Sequence, residues 1–316
     1  MEKRTLGNSG LSIAPLMFGG NVFGWTADEK TSFQLLDAFT DAGFNAVDTA
    51  DTYTVRVPGN TGGDSERIIG KWLHQTGKRD KIILATKVGG VFSETKKGLR
   101  KKYILQSIDD SLSRLQTDYI DLYQTHYDDP ETPIEETLEA YASIVQSGKV
   151  RAIGTSNMTA ARIRQSLRVS LDKGFPSYQS LQPEYNLYDR ERYETEYAPL
   201  VAETNLGVIP YFALASGFLT GKYRSTADLE GSSRTKYVSR YINERGFNIL
   251  AALDTVAARH NTQPATVAIA WLMNRPGITA PIASATSMAQ LNSLFAAVRL
   301  RLGAEDTAEL DRASAY

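Results

Sequence analysis

The chain has 316 residues, 35 Lys plus Arg against 36 Asp plus Glu, and no cysteine. Near-neutral charge offers no field for nucleic acid or an anionic membrane, and the lack of cysteine excludes disulfides, thiolate chemistry and cysteine-held metals. No apolar run is long enough to span a bilayer and residues 1–6 hold no apolar signal segment, so a cytoplasmic protein is expected.

In chain order, the turn cluster Asn8-Ser9-Gly10 lies between residues 4–6 and 11–13 and predicts a hairpin. Short apolar segments then alternate with amphipathic ones. Strands are expected at 16–19, 46–48, 82–87, 121–124, 152–155, 180–182, 208–210 and 279–282, apolar enough to be buried on both faces. Between them, 31–42 sets Phe33, Leu35, Leu36, Ala38 and Phe39 on one helical stripe, and 103–115 does so with Leu105, Ile108, Leu112 and Leu115. A further helix is expected to open at Pro133 and to end before Gly148, which accepts the left-handed conformation.

This cadence predicts an α/β protein: a closed (β/α)8 TIM barrel, as one domain over 1–316, with an N-terminal β-hairpin. An open doubly wound sheet is disfavoured, because no Gly-x-Gly-x-x-Gly turn is present. Two long loops, 54–64 and about 224–240, are expected at the C-terminal face.

In a barrel, all strands end on one face. Asp48, Lys87 and His126 close the second, third and fourth strands, and Tyr53 follows Asp48 by five residues. Ser156, Asn157, Gln182 and Tyr211 fall at the ends of the fifth to seventh. Taken singly, each has an ordinary structural explanation as an ion pair or a packing contact. At successive strand ends they form one site that manages a proton. An ammonium about 4 Å from a phenol favours phenolate by about 4 kcal/mol at an effective dielectric of about 20, or about three pKa units. Lys87 is therefore expected to bring Tyr53 toward neutral pH as a general acid or base, with Asp48 orienting Lys87 and His126 bonding a substrate oxygen. His74 and His260 receive no role, and the pairs Asp109-Asp110 and Asp128-Asp129 read as solvated charge. With three histidines and no His-x-His, no catalytic metal is expected.

These segments resemble the aldo-keto reductase superfamily, in its bacterial, aryl-alcohol-dehydrogenase-like branch, over nearly the whole chain. Residues 6–11 resemble the family's hairpin that plugs the barrel bottom. Residues 47–53 (VDTADTY) resemble its first signature, 121–126 (DLYQTH) its histidine strand, and 148–157 (GKVRAIGTSN) its most specific motif. Ser65-Glu66 with Ile68-Ile69-Gly70 resembles the start of its second helix, and 213–223 (ALASGFLTGKY) its seventh loop. The resemblance implies hydride transfer from nicotinamide C4 to a carbonyl carbon, with Tyr53 protonating the oxygen, Lys87 and Asp48 tuning it, and His126 orienting the substrate. It implies Ser156, Asn157 and Gln182 at the nicotinamide carboxamide and Tyr211 stacked on the ring. It also implies a phosphate cradle of Ala213, Leu214, Gly217, Leu219, Gly221 and Lys222, small residues giving close approach to backbone N–H groups, and contacts from Ser284, Thr286 and Gln290.

The chain departs from the family at three places. Thr54 follows the tyrosine where glycine is usual, and 55–63 lengthen the loop. Residues 282–298 carry no cation for a 2′-phosphate. Ser293-Leu294 stands where a Glu-Asn pair is usual. NADP(H) is the favoured cofactor, NAD(H) the alternative, and Arg224 or Arg234 is a candidate source of the missing charge. The expected function is an NAD(P)-dependent aldo-keto reductase or alcohol dehydrogenase that interconverts a small-molecule aldehyde or ketone and its alcohol. The alternatives are a cofactor-binding regulatory subunit with little turnover, and a barrel isomerase or lyase without nicotinamide. Phe23, Trp25, Tyr127 and Tyr188 are candidate walls of an aromatic pocket.

Overall fold

A computed structural model describes residues 1–231 and 234–316; Ser232 and Ser233, inside the predicted 224–240 loop, lie outside the described residues. The chain opens with the antiparallel pair β1 (Arg4–Thr5) and β2 (Ser12–Ile13). The parallel strands follow: β3 (Met17–Gly19), β4 (Ala46–Asp48), β5 (Ile83–Val88), β6 (Ile120–Thr125), β7 (Val150–Ser156), β8 (Tyr178–Gln182), β9 (Gly207–Val208) and β10 (Ile282–Ala283). Their order is β10-β3-β4-β5-β6-β7-β8-β9. The ends of that order meet. Thr279 N donates to Val208 O at 2.8 Å and Ile282 N donates to Pro210 O at 2.9 Å, so the sheet closes into the expected barrel and has no free edge. The eighth strand starts later than the apolar run predicts, because Pro281 has no N–H to donate to a ladder.

The helices are α1 (Glu29–Asp41), α2 (Asp64–Thr76), α3 (Lys101–Leu115), α4 (Ile134–Gln146), α5 (Ala160–Lys173), α6 (Ala198–Thr204), α7 (Thr235–Val238), α8 (Glu244–Arg259), α9 (Pro264–Met273), α10 (Met288–Arg299) and α11 (Ala304–Ala313). Local chemistry starts several of them. Asp28, Thr159, Asn243 and Ser287 each accept a backbone N–H of the first turn of α1, α5, α8 and α10, a cap worth about 1 kcal/mol. Pro133 stands just before α4 rather than inside it.

Two apolar layers result. Leu6, Leu11 and Ile13 of the hairpin pack with Met17, Ala46, Ala85, Leu122, Ala152, Ile209 and Ala280 inside the barrel, so the hairpin plugs one end as expected. The larger layer lies between strands and helices. Inside, the register aligns Lys87 with Gln124, Gln124 with Gly154, and Gly154 with Ser180. Gly154 is required there: a Cβ would lie 2.2 Å from Ser180 Oγ and 3.1 Å from Gln124 Cγ. The missing side chain leaves space for Gln124 to turn toward the rim.

Candidate active site

Strand β4 delivers Asp48, and the irregular turn after it returns Tyr53 over the same rim; β5 delivers Lys87. The Lys87 side chain is 0 % exposed and that of Asp48 is 1 %. Burying an ion pair costs more than it returns unless the leftover protons and lone pairs are bonded, and here they are. Lys87 Nζ donates to Asp48 Oδ2 at 2.7 Å, Thr49 O at 2.8 Å and the Tyr53 hydroxyl at 2.8 Å, which uses all three ammonium protons. Asp48 Oδ1 accepts from Gln182 Nε2 at 3.0 Å and Gln124 Nε2 at 3.2 Å. The Tyr53 hydroxyl in turn donates to Asp48 Oδ2 at 3.2 Å.

The electrostatics correct one expectation. Burial pushes the Tyr53 phenol well above its usual 10, and the Asp48 carboxylate beside it pushes the same way. Those two effects outweigh the ammonium, so the phenol keeps its proton at neutral pH rather than titrating there. Burial also lowers Lys87, against the opposing pull of Asp48. His126 is held neutral, well below 6.5, by burial and then by the Lys87 charge. Its ring meets that of Tyr53 edge-on at 6.0 Å, and its Nδ1 lies 3.3 Å from Thr52 Oγ1. Asn157, in the left-handed region at φ +53°, donates to His126 O at 2.9 Å and accepts from the Tyr211 hydroxyl at 2.9 Å. It therefore ties the histidine strand to the aromatic of the seventh.

Tyr53 and His126 stand where two clefts meet. One, of about 910 Å³, is lined by Ser156, Asn157, Gln182, Tyr211, Ala213, Leu214, Gly217, Lys222, Ser284, Thr286 and Gln290. Leu219 and Gly221 do not line it: the Leu219 side chain is buried in the core, and Gly221 turns the chain at φ +79°. The 212–217 loop holds Phe212, Ala215, Ser216 and Gly217 at positive φ. Such backbone is costly for the non-glycine residues, and the loop is held by Ala215 N donating to Phe212 O at 2.7 Å and Gly217 N to Leu214 O at 2.8 Å. A flat amide-bearing ring joined to a pyrophosphate fits this cleft: amides and a phenol at one end, the strained loop and Lys222 along it, hydroxyls at the other.

The second cleft, of about 970 Å³, takes in Trp25, Tyr127 and residues of the 52–58, 89–100 and 126–131 loops. Phe23 and Tyr188 do not reach either cleft. Phe23 is buried and stacks on Phe18 at 5.3 Å, and Tyr188 packs edge-on against Tyr241. Arg224 supplies no free charge, since both its terminal nitrogens bind Asp254, at 2.7 and 2.8 Å. Arg234 lines both clefts. Asp128 and Asp129 are more than solvated charge: Asp128 binds Arg162 Nε at 3.1 Å, and Asp129 accepts from Thr132 Oγ1 at 2.6 Å and Leu99 N at 2.9 Å.

Sequence reasoning missed Gln124, Asn21 and Asp51. Gln124 was hidden inside an apolar strand. Asn21 bonds Ser284 Oγ at 2.5 Å across 263 positions, which no local pattern shows. Asp51 is buried with its Oδ1 unpartnered among the described residues. Burial, followed by repulsion from Glu66, raises it to about 8.

A closed parallel barrel with a buried acid, ammonium and phenol at its rim fits a barrel oxidoreductase. The chain belongs to the aldo/keto reductase family, whose model matches residues 15–315. It is 31 % identical to Protein tas of Escherichia coli (strain K12), over 98 % of this chain and 97 % of that protein. It is 32 % identical to the aldo-keto reductase YhdN of Bacillus subtilis (strain 168), over 98 % and 93 %. It is 33 % identical to a probable voltage-gated potassium channel subunit beta of Oryza sativa subsp. japonica, over 92 % and 89 %. Among the described residues no helix is long and apolar enough to cross a membrane.

Proposed function

We propose that the chain, as one barrel domain over 1–316, reduces an aldehyde or ketone to the alcohol with NAD(P)H, and runs the reverse when concentrations favour it. The observation that carries this reading is the Tyr53 hydroxyl, 2.8 Å from a buried ammonium and set where the two clefts join. When bound, the nicotinamide supplies a hydride to the carbonyl carbon. Tyr53 then gives its proton to the carbonyl oxygen. A developing alkoxide is a stronger base than a phenolate, so the transfer proceeds even from a phenol raised above 10. Lys87 stabilises the phenolate left behind, and Asp48 keeps Lys87 cationic. His126, neutral and with Nδ1 facing Thr52, presents Nε2 to the same oxygen and fixes its position.

Gln182 spends its amide N–H on Asp48 and Gln124, which leaves its carbonyl for the carboxamide. Ser156 and Asn157 would complete that end, and Tyr211 would offer its ring to the nicotinamide. Ala213, Leu214, Gly217 and Lys222 would hold the pyrophosphate, with Ser284, Thr286 and Gln290 beyond it. NADP(H) is favoured over NAD(H), because Lys222 and Arg234 face the same cleft as the Ser284 and Thr286 hydroxyls.

Fluorescence titration with NADPH and NADH, followed by an aldehyde and ketone screen in both directions, tests this. Saturable binding with turnover supports it; no binding of either dinucleotide overturns it. Tight binding without turnover of any carbonyl would instead favour a regulatory subunit, a reading motivated by the likeness to the plant channel subunit.

A further inference from the structure

The second cleft carries a charge pattern that the reaction itself does not need. Arg56, Lys97 and Arg100 stand on its wall, all three exposed. Among the described residues none of the three side chains has an ion pair or hydrogen bond.

Of the three acids on this wall two are occupied, while the Glu131 carboxylate has no hydrogen bond or ion pair among the described residues. Asp128 is bound by Arg162. Asp129 fastens the 98–99 turn and the 131–132 turn through Leu99 N, Glu131 N and Thr132 Oγ1. Those bonds hold its carboxyl below the usual carboxylate range against the opposing effect of burial. Asp129 therefore braces the loop that carries Lys97 and Arg100.

Two aromatic side chains, Trp25 and Tyr127, line the same cleft. Tyr127 stacks on His126 with ring centroids 4.6 Å apart and is 50 % exposed. Trp25 lies under the Arg234 guanidinium at 5.5 Å. A flat ring held there would place one substituent at Tyr53 and direct another toward the cations.

We propose that this cleft selects aromatic aldehydes or ketones that carry an anionic group, a carboxylate or a phosphate monoester, on the part of the ring remote from the reacting carbonyl, and that Arg56, Lys97 and Arg100 hold the anion. This rests on the carbonyl-reductase reading above. The binding energy of a remote charge fixes the ring and so positions the carbonyl. Rim-exposed cations are screened by salt, so the preference weakens as ionic strength rises.

The test compares benzaldehyde, 4-carboxybenzaldehyde and 4-formylphenyl phosphate as substrates of the wild type and of an Arg56→Ala/Lys97→Ala/Arg100→Ala variant. A thermal melt checks that the variant is folded. The expected wild-type ratio of kcat/KM, anionic over neutral, is about tenfold or more, equivalent to about 1.4 kcal/mol. It is carried mainly by KM, shrinks in high salt and collapses toward unity in the variant. Whether carboxylate or phosphate gains more identifies the anion. Equal ratios in the two proteins, or no anionic preference in the wild type, overturn the proposal. A second measurement is independent of turnover: fluorescence titration with 4-(hydroxymethyl)benzoate and with benzyl alcohol. Tenfold tighter binding of the benzoate, lost in the variant, upholds the anion site even if no aldehyde is reduced. Equal binding of the two removes it even if benzaldehyde is turned over.

Discussion

The Lys87 ammonium lies 2.8 Å from the Tyr53 hydroxyl, and Asp48 Oδ2 touches both, at 2.7 and 3.2 Å. Three groups of different charge thus share one buried junction.

Tyr53→Phe removes the proton donor and keeps the ring. The expected result is a loss of about a hundred- to ten-thousand-fold in kcat, the usual contribution of a positioned acid, with the dissociation constant for NADPH little changed. Steady-state kinetics and fluorescence titration read the two effects separately. A variant that retains wild-type kcat removes Tyr53 from the mechanism.

Lys87→Met leaves a buried carboxylate without its cation, and breaking such a pair costs about 3–5 kcal/mol. Adding Asp48→Asn to it should return most of that stability, because no uncompensated charge remains, while activity stays lost. Denaturant melts of both variants beside activity assays check this. Recovery of activity in the double variant would contradict the assigned roles.

The pH profile of carbonyl reduction should show no step near the ordinary histidine value of 6.5, since burial keeps His126 neutral well below it. The activity needs the proton of the Tyr53–Lys87 pair. It is present at neutral pH and is lost as pH rises. Lys87, lowered from 10.5 by burial, is the first of the pair to go, so the alkaline limb begins below 10.5. Alcohol oxidation, which needs a phenolate stabilised by the Lys87 ammonium, should not rise over that limb, because burial and Asp48 hold the Tyr53 phenol well above 10. A profile of kcat/KM in both directions decides it.

Asp51 makes the fold itself pH-dependent. Its carboxyl is raised from 3.8 to about 8 in the folded chain. The folded state therefore holds a proton that the unfolded state releases, and stability falls as pH rises from about 4 to about 8, then levels off. Asp51→Asn should flatten that slope and raise stability on the alkaline side. Melting temperatures across the interval test it, and an unchanged slope would place the titration elsewhere.

Gly154→Ala should cost about 1–3 kcal/mol, the usual price of overpacking, because its Cβ would meet Ser180 Oγ at 2.2 Å. It should also lower activity by displacing Gln124 from Asp48. A chemical denaturation curve measures the first effect and kcat the second.

Much of this protein follows from local pattern. Short apolar runs mark the strands and 3.6-residue stripes the helices, and the barrel rule gathers the strand ends on one face. So Asp48, Lys87 and His126 are legible as neighbours from residues 39 and more apart. What the chain alone left open depends on burial and on contacts between distant segments. Lys87 was expected to make Tyr53 acidic, but desolvation and Asp48 act on the same oxygen and win. Asp128 and Asp129 read as solvated charge until Arg162, Leu99 and Thr132 met them across the loops. Arg224 was a candidate for cofactor charge until Asp254 took both its nitrogens. The Asn21–Ser284 bond exists only because the barrel closes its last strand on its first. Side-chain type and spacing decide which groups arrive at the rim; the depth at which they are buried, and which distant partner reaches them first, decide their charge and therefore their chemistry.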